Sequence, residues 1–176
     1  MANIECEIRS FISERKYQEL VEWFQKESKF LGRDEQVTYY FTGDADLRIQ
    51  QNSKFSKIWL KKGKIHNEHR EEIEIKFARE DFDKLEKLFL VLGYEIEVKW
   101  FRQRHSFEWN DIDVCLDYTR GYGYIIELEK ICRENEKEKV LEYLKSKLVE
   151  LGIPLTPREE FDKKYSDYKE NWRGLI

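Results

Sequence analysis

The stretch DIDVCLDYTRGYGYIIELEKI, residues 111–131, decides how the chain folds. In an extended chain residues i and i+2 share a face. Asp113, Cys115 and Asp117 therefore fall on one side of a first strand, with Leu116 on the other. A second strand opens near Gly123 and places Glu127 and Glu129 together on one face. The connection at Arg120-Gly121 is too short for a parallel crossover, so the two arms pair antiparallel. The same pattern recurs at Glu5-Cys6-Glu7-Ile8-Arg9 and at Glu72-Ile73-Glu74-Ile75-Lys76, each with two carboxylates and a cation on one face.

Working outward, the chain reads as eight strands at about 3–11, 35–42, 46–51, 55–61, 69–77, 94–105, 111–118 and 123–131. Asn52-Ser53, Lys62-Gly63-Lys64, Asn110-Asp111 and Arg120-Gly121 are turn-like punctuation between them. Gly121-Tyr122-Gly123 reads as the turn into the last strand rather than a phosphate loop, since no helix follows it. Helical spacing of apolar residues predicts helices over about Ser13–Leu31, Glu80–Leu92 and Glu134–Leu151. Ser13 is the expected N-cap of the first, and Gly32, Gly93 and Gly152 are read as the glycines that end each helix. A fourth, shorter helix is expected over about Arg158–Tyr168.

Bulk properties narrow the function classes. The 176 residues fit one domain, the strands and helices occupying about 3–151 and a helical tail about 154–176. Apolar residues are 40% and aromatic residues 15%, enough for a packed core despite 39% charged residues. A net charge of −4 lacks the basic excess of a dedicated nucleic-acid binder. No apolar run approaches the roughly 20 residues of a membrane span, and the charged sequence from Glu5 onward is not expected to act as a signal peptide. Cys6, Cys115 and Cys132 lack C-x-x-C spacing and read as reduced thiols of a cytoplasmic protein. His66, His69 and His105 are not spaced as a metal triad, and the first two sit in a polar loop.

Charged residues share faces along seven of the eight strands: Glu5, Glu7 and Arg9; Asp46 and Arg48; Lys57 and Lys61, with Trp59 between them; Arg70, Glu72, Glu74 and Lys76; Arg102 and Arg104; Asp113 and Asp117, with Cys115; Glu127 and Glu129. In a chain so rich in Glu and Lys, a solvated charged face is the ordinary outcome. The regular placement of basic strands between acidic ones favours convergence of the charges on metal ions or a polyanion.

That succession resembles the CYTH superfamily, the triphosphate tunnel metalloenzymes, which includes class IV adenylyl cyclases and thiamine triphosphatases. Glu5, Glu7 and Arg9 match its opening E-x-E-x-K. Leu47-Arg48-Ile49 resembles L-R-x-R, Ile58-Trp59-Leu60-Lys61 with Gly63 resembles L-T-L-K-G, and Arg70, Glu72 and Glu74 match R-x-E-x-E. Arg102 and Arg104 match an R-x-R strand. Val114-Cys115-Leu116-Asp117, Gly121, Gly123 and Glu127-Leu128-Glu129 match the closing signature, the most specific piece. The match spans roughly residues 3 to 131 in order. There are departures: Arg9 replaces lysine, Gln50 stands where a second arginine is common, and Trp59 replaces threonine, narrowing that level.

The resemblance implies an α+β fold, a closed eight-stranded antiparallel barrel forming a tunnel with helices packed outside. It implies Mg²⁺ or Mn²⁺ on Glu5, Glu7, Asp117, Glu127 and Glu129, hard cations on carboxylate oxygens. Arg9, Arg48, Lys61, Arg70, Arg102 and Arg104 are the expected donors to a small-molecule triphosphate. Glu5, Glu7, Arg9, Glu72 and Glu74 are the expected catalytic set. The reaction expected is metal-dependent hydrolysis of inorganic triphosphate, thiamine triphosphate or a nucleotide. A class IV adenylyl cyclase and a non-catalytic polyphosphate binder are the alternatives, and a monomer and a homodimer fit the sequence equally. The tail, with Phe161, Tyr165, Tyr168 and Trp172, is expected to pack on the barrel or plug one end.

Overall fold

The period-two alternation becomes an eight-stranded sheet in the computed structural model, which describes residues 3–62 and 71–176. The elements are β1 (Asn3–Ile12), α1 (Glu14–Glu27), β2 (Lys29–Phe41), β3 (Asp46–Gln51), β4 (Phe55–Lys62), β5 (Glu71–Ala78), α2 (Phe82–Val91), β6 (Ile96–Trp109), β7 (Ile112–Thr119), β8 (Gly123–Arg133), α3 (Lys137–Glu150) and α4 (Arg158–Leu175). The fold is α+β, with strand order β1-β8-β7-β6-β2-β3-β4-β5 and every described register antiparallel. Among the described residues the order ends at β1 and β5, with no ladder joining them, whereas a closed barrel was implied. Arg70, Gly63, His66 and His69 lie outside the described residues, as do the side chains of Lys61 and Glu72.

The chain divides into two compact units. The first comprises Met1–Arg33 and Gln103–Tyr168. Its apolar sheet face presents Cys6, Ile8, Phe107, Val114, Leu116, Ile126 and Leu128 to α1 and α3. Phe24 of α1 and Leu144 of α3 are fully buried there. The Cys6 and Cys132 sulfurs lie 3.4 Å apart in this core as reduced thiols, filling it as small hydrophobes. Trp109 and Ile112 are joined through Asn110 (φ 51°) and Asp111 (φ 58°), a two-residue turn with both central residues left-handed, as the twist of an antiparallel hairpin requires.

Helix α1 departs from its expected extent. Ser13 caps it as foreseen, its Oγ accepting from Lys16 N–H at 3.1 Å. It stops at Glu27 rather than Leu31, because the Ser28 hydroxyl donates to the Phe24 carbonyl at 2.6 Å and the chain turns extended. Phe30 and Leu31 then belong to β2, Phe30 meeting Phe107 at 5.3 Å, and Gly32 is a strand residue rather than a helix stop. Gly93 and Gly152 do end α2 and α3 with positive φ.

The second unit comprises Asp34–Arg102 and Lys169–Ile176. Phe41, Leu47 and Ile49 bury against Phe82, Leu85 and Phe89 of α2. Helix α4 runs seven residues beyond the expected Tyr168, to Leu175, and its end is tied to β6: Trp172 Nε1 donates to the Glu97 carbonyl at 2.9 Å and Lys169 meets the Glu97 carboxylate at 2.6 Å. Among the described residues no helix is long and apolar enough to cross a membrane.

Candidate metal and phosphate site

In the first unit β8 lies between β1 and β7, and register stacks the polar face in rows. Glu7, Glu129 and Asp113 are cross-strand neighbours, as are Arg9, Glu127 and Cys115, and then Phe11, Ile125 and Asp117. Apolar partners on the opposite face fix this register, since a slip of one residue would bury the acids.

Glu5, Glu7 and Glu129 each bring a carboxylate oxygen to within 4.8 Å of the others. Loss of hydration, then the Glu127 charge, pushes the Glu7 carboxyl up to about 7, with Arg9 pulling the other way. Glu129 is likewise pushed up to about 7, by loss of hydration first and then by Glu5, Glu7, Asp113 and Glu127. Glu7 remains 37% exposed, so it is reachable yet poorly hydrated, as a recessed carboxylate is. A face that crowds acids beyond comfortable ionisation is electrostatically incomplete. A hard divalent cation on these oxygens satisfies it, and the donor set fits Mg²⁺ or Mn²⁺.

Asp117 and Glu127, expected as further metal ligands, are engaged by Arg104. Its Nε and Nη2 reach the two Asp117 oxygens at 2.7 and 2.6 Å, and Nη2 also donates to Glu127. Burial opposes the charge of Arg104, but Glu127 and then Asp117 more than offset it, holding the guanidinium protonated. Arg9 sits 3.9 Å from Glu7 and over the Phe161 ring at 5.0 Å. Cys115 is no nucleophile, because burial above all pushes its thiol up to about 12. His105 turns to the core side, where its Nδ1 shares a hydrogen bond of 2.9 Å with the Tyr17 hydroxyl.

Sequence reasoning missed Lys164. Its ammonium lies over Phe11 at 4.3 Å and Tyr122 at 5.5 Å, and a Cβ on Gly123 would come within 3.3 Å of it. Burial lowers its pKa. Thr119, across from Gly123, carries a buried hydroxyl with no hydrogen-bond partner among the described residues. The available signal was the position of Lys164, the second of two lysines between Phe161 and Tyr168, three residues past Phe161 and four before Tyr168 on the buried stripe of α4.

In the second unit Tyr40, Arg48, Trp59 and Glu74 form one cross-strand row over β2 to β5. The Arg48 guanidinium stacks on Tyr40 at 4.4 Å and faces Trp59 at 5.3 Å, while Asp46 grips it through two bonds of 2.6 and 2.5 Å. Lys57 donates to Glu74 at 2.7 Å and lies 4.0 Å over the Trp59 ring. That bond, chiefly, lowers the Glu74 pKa. Arg102 donates twice to Gln36 Oε1, at 2.9 and 2.6 Å. Gln50 donates to Thr38 Oγ1 at 3.0 Å.

The sequence model of the CYTH domain matches residues 3–165. A Methanocaldococcus jannaschii protein whose name assigns it provisionally to the adenylate cyclases is 34% identical over 163 residues, 85% of this chain and 90% of the relative. A solved Pyrococcus horikoshii protein superposes with a TM-score of 0.72 at 24% identity, covering 88% of this chain and 93% of that one. A Hippeastrum protein, described as a provisional adenylyl cyclase with a dominant triphosphatase activity, gives 0.68 at 19% identity, covering 94% and 96%. At these identities the two solved structures speak to the fold.

Proposed function

Because the chain belongs to the CYTH domain family, we propose that it is a cytoplasmic, divalent-metal-dependent phosphohydrolase acting on a small-molecule triphosphate. The gathering of Glu5, Glu7 and Glu129 carries this reading, since three carboxylates converge on strands held in register, two of them poorly hydrated, and the Arg9 guanidinium 3.9 Å from Glu7 offsets one charge at most. Closure of the sheet into a tunnel belongs to the same reading and rests on the family resemblance.

Bound there, Mg²⁺ or Mn²⁺ supplies charge for a phosphoryl oxygen and orients the reacting groups. The protein's own part is positioning and charge, which suits phosphoryl transfer. Arg9 and Lys164 offer cations, the first from β1 and the second from α4. Arg104, tied to Asp117, fixes the Glu127 carboxylate and keeps a positive charge among the acids. Of the catalytic set, Glu5 and Glu7 act as cation holders. Glu74 acts through Lys57, and the roles of Glu72, Lys61 and Arg70 follow from the motif match alone. Arg48 and Arg102 supply forked donors whose orientation Asp46 and Gln36 hold. Water attacks the terminal phosphorus, the bond from that phosphorus to the bridging oxygen breaks, the diphosphate portion departs, and the attacked phosphoryl group is released as orthophosphate.

One observation favours a second reading: the relative at 34% identity is named provisionally as an adenylate cyclase. In that reaction the ribose 3′-hydroxyl attacks the α-phosphorus and pyrophosphate leaves. Phosphorus NMR on inorganic triphosphate, thiamine triphosphate and ATP, with Mg²⁺, Mn²⁺ or chelator, separates the two by product. Orthophosphate release that stops with chelator is expected. Glu7→Gln with Glu129→Gln should lower it by at least about a hundredfold, and a variant as active as the wild type would sink the metal-site assignment. Binding without turnover would mark a polyphosphate binder.

A further inference from the structure

Gln50 and Trp59 both depart from the family pattern, the first removing a cation and the second adding a ring. Register connects the two. Gln50 on β3 is the direct cross-strand partner of Lys57 on β4, and Lys57 stands two residues before Trp59 on the same strand face. The Gln50 amide is committed elsewhere, donating to the buried Thr38 hydroxyl at 3.0 Å. Lys57 is drawn in instead. Its side chain is only 13% exposed, its ammonium lies 4.0 Å over the Trp59 ring, and Glu74 accepts one bond at 2.7 Å. An ammonium has three donors, and Glu74 takes one of them.

A lysine that gives up most of its hydration needs compensation, and both an indole face and a carboxylate provide it. A threonine at position 59 would offer no such face. Arg48 meets the same ring at 5.3 Å, so the indole is shared by two cations, one from β3 and one from β4.

We propose that Lys57 is a substrate-binding residue, a phosphate donor that stands in for the arginine lost at Gln50, and that Trp59 is the positioning residue that seats it. The cation has moved one strand across the sheet, and the wide ring at position 59 is what permits the move. The inference rests on the triphosphate reading above and deepens it by adding a ligand to that site. It predicts that phosphate affinity depends on residues 50, 57 and 59 together.

The test measures inorganic triphosphate binding by calorimetry with Mg²⁺, alongside KM and kcat for triphosphate hydrolysis. Lys57→Met should weaken binding about ten- to hundredfold, the loss of one charge-assisted hydrogen bond, and raise KM more than it lowers kcat. Adding Gln50→Arg to Lys57→Met should recover most of that loss, which a merely structural lysine would not allow. Trp59→Thr keeps the lysine and removes its seat, so it should weaken binding roughly three- to thirtyfold, with Trp59→Phe closer to wild type. It also gives an independent answer should Lys57→Met fail to fold. Variants that bind as the wild type does, or a double variant without recovery, overturn the inference and leave the triphosphate reading standing. A wild-type protein that neither binds nor hydrolyses triphosphate overturns both.

Discussion

Glu7 and Glu129 face each other across the β1–β8 ladder with carboxyl groups pushed up to about 7 from an ordinary 4.5. Between those values the folded protein holds protons that the unfolded chain has released. Protonation therefore favours the fold in that window, and the benefit is lost as pH rises through about 7. The metal-free protein should melt at progressively lower temperature from about pH 5 to pH 8, and Glu129→Gln should flatten the trend. Mn²⁺ should restore stability far more at pH 8 than at pH 5.5, because protons and metal compete for the same oxygens. A thermal series over pH, with chelator and with Mn²⁺, checks this, and a melting temperature that climbs toward pH 8 in chelator would contradict it. At this scale the sequence was informative about which acids share a face. It said nothing of which acids an arginine would claim, because the reach of Arg104 to Asp117 on the adjoining strand and to Glu127 one strand further is set by cross-strand register rather than by spacing along one strand.

Each strand's polar face was legible from period-two alternation, and the β6–β7 hairpin from Asn110-Asp111. Both residues of that turn carry positive φ, which costs a residue with a Cβ and costs glycine nothing. Asp111→Gly should stabilise the protein by up to about 1 kcal/mol. The Asp111 carbonyl, which accepts from Lys130 at 2.7 Å, remains available. Urea denaturation should show a higher midpoint at an unchanged slope. Helix ends were less legible. Leu31-Gly32 has the look of a helix stop, yet a serine hydroxyl ends α1 four residues earlier, and Phe30 gains more from Phe107 than from continuing the helix. The length of α4 was hidden for a similar reason. Residues 169–175 are mostly polar, and what holds them is Trp172 and Lys169 on Glu97, contacts that no local pattern announces. Lys164 escaped notice because its seat over Phe11 and Tyr122 depends on how α4 packs rather than on spacing along the chain, whereas Lys57 was legible beside Trp59 on one strand face but not as the partner of Glu74 on the next strand.

For the molecule as a whole, ligand binding and folding are one equilibrium. A metal and a triphosphate that bind only the folded chain, present at about a hundred times the dissociation constant, add about 2.7 kcal/mol. For a chain of 176 residues that is a rise in melting temperature of roughly 5–10 °C. Scanning calorimetry should show it with Mn²⁺ and inorganic triphosphate together, and little of it with triphosphate in chelator. The alternation in β1 has a consequence for how such a chain can vary through descent. Ile4, Cys6 and Ile8 line the core while Glu5, Glu7 and Arg9 line the polar face, interleaved residue by residue. Exchange of one side chain touches one face only. Loss of a single codon within the strand would transpose the two, setting carboxylates in the core and hydrocarbons where the charges stood. Lineages of this protein are thus free to lengthen or shorten at its turns, while the interiors of β1, β7 and β8 keep count like a reading frame.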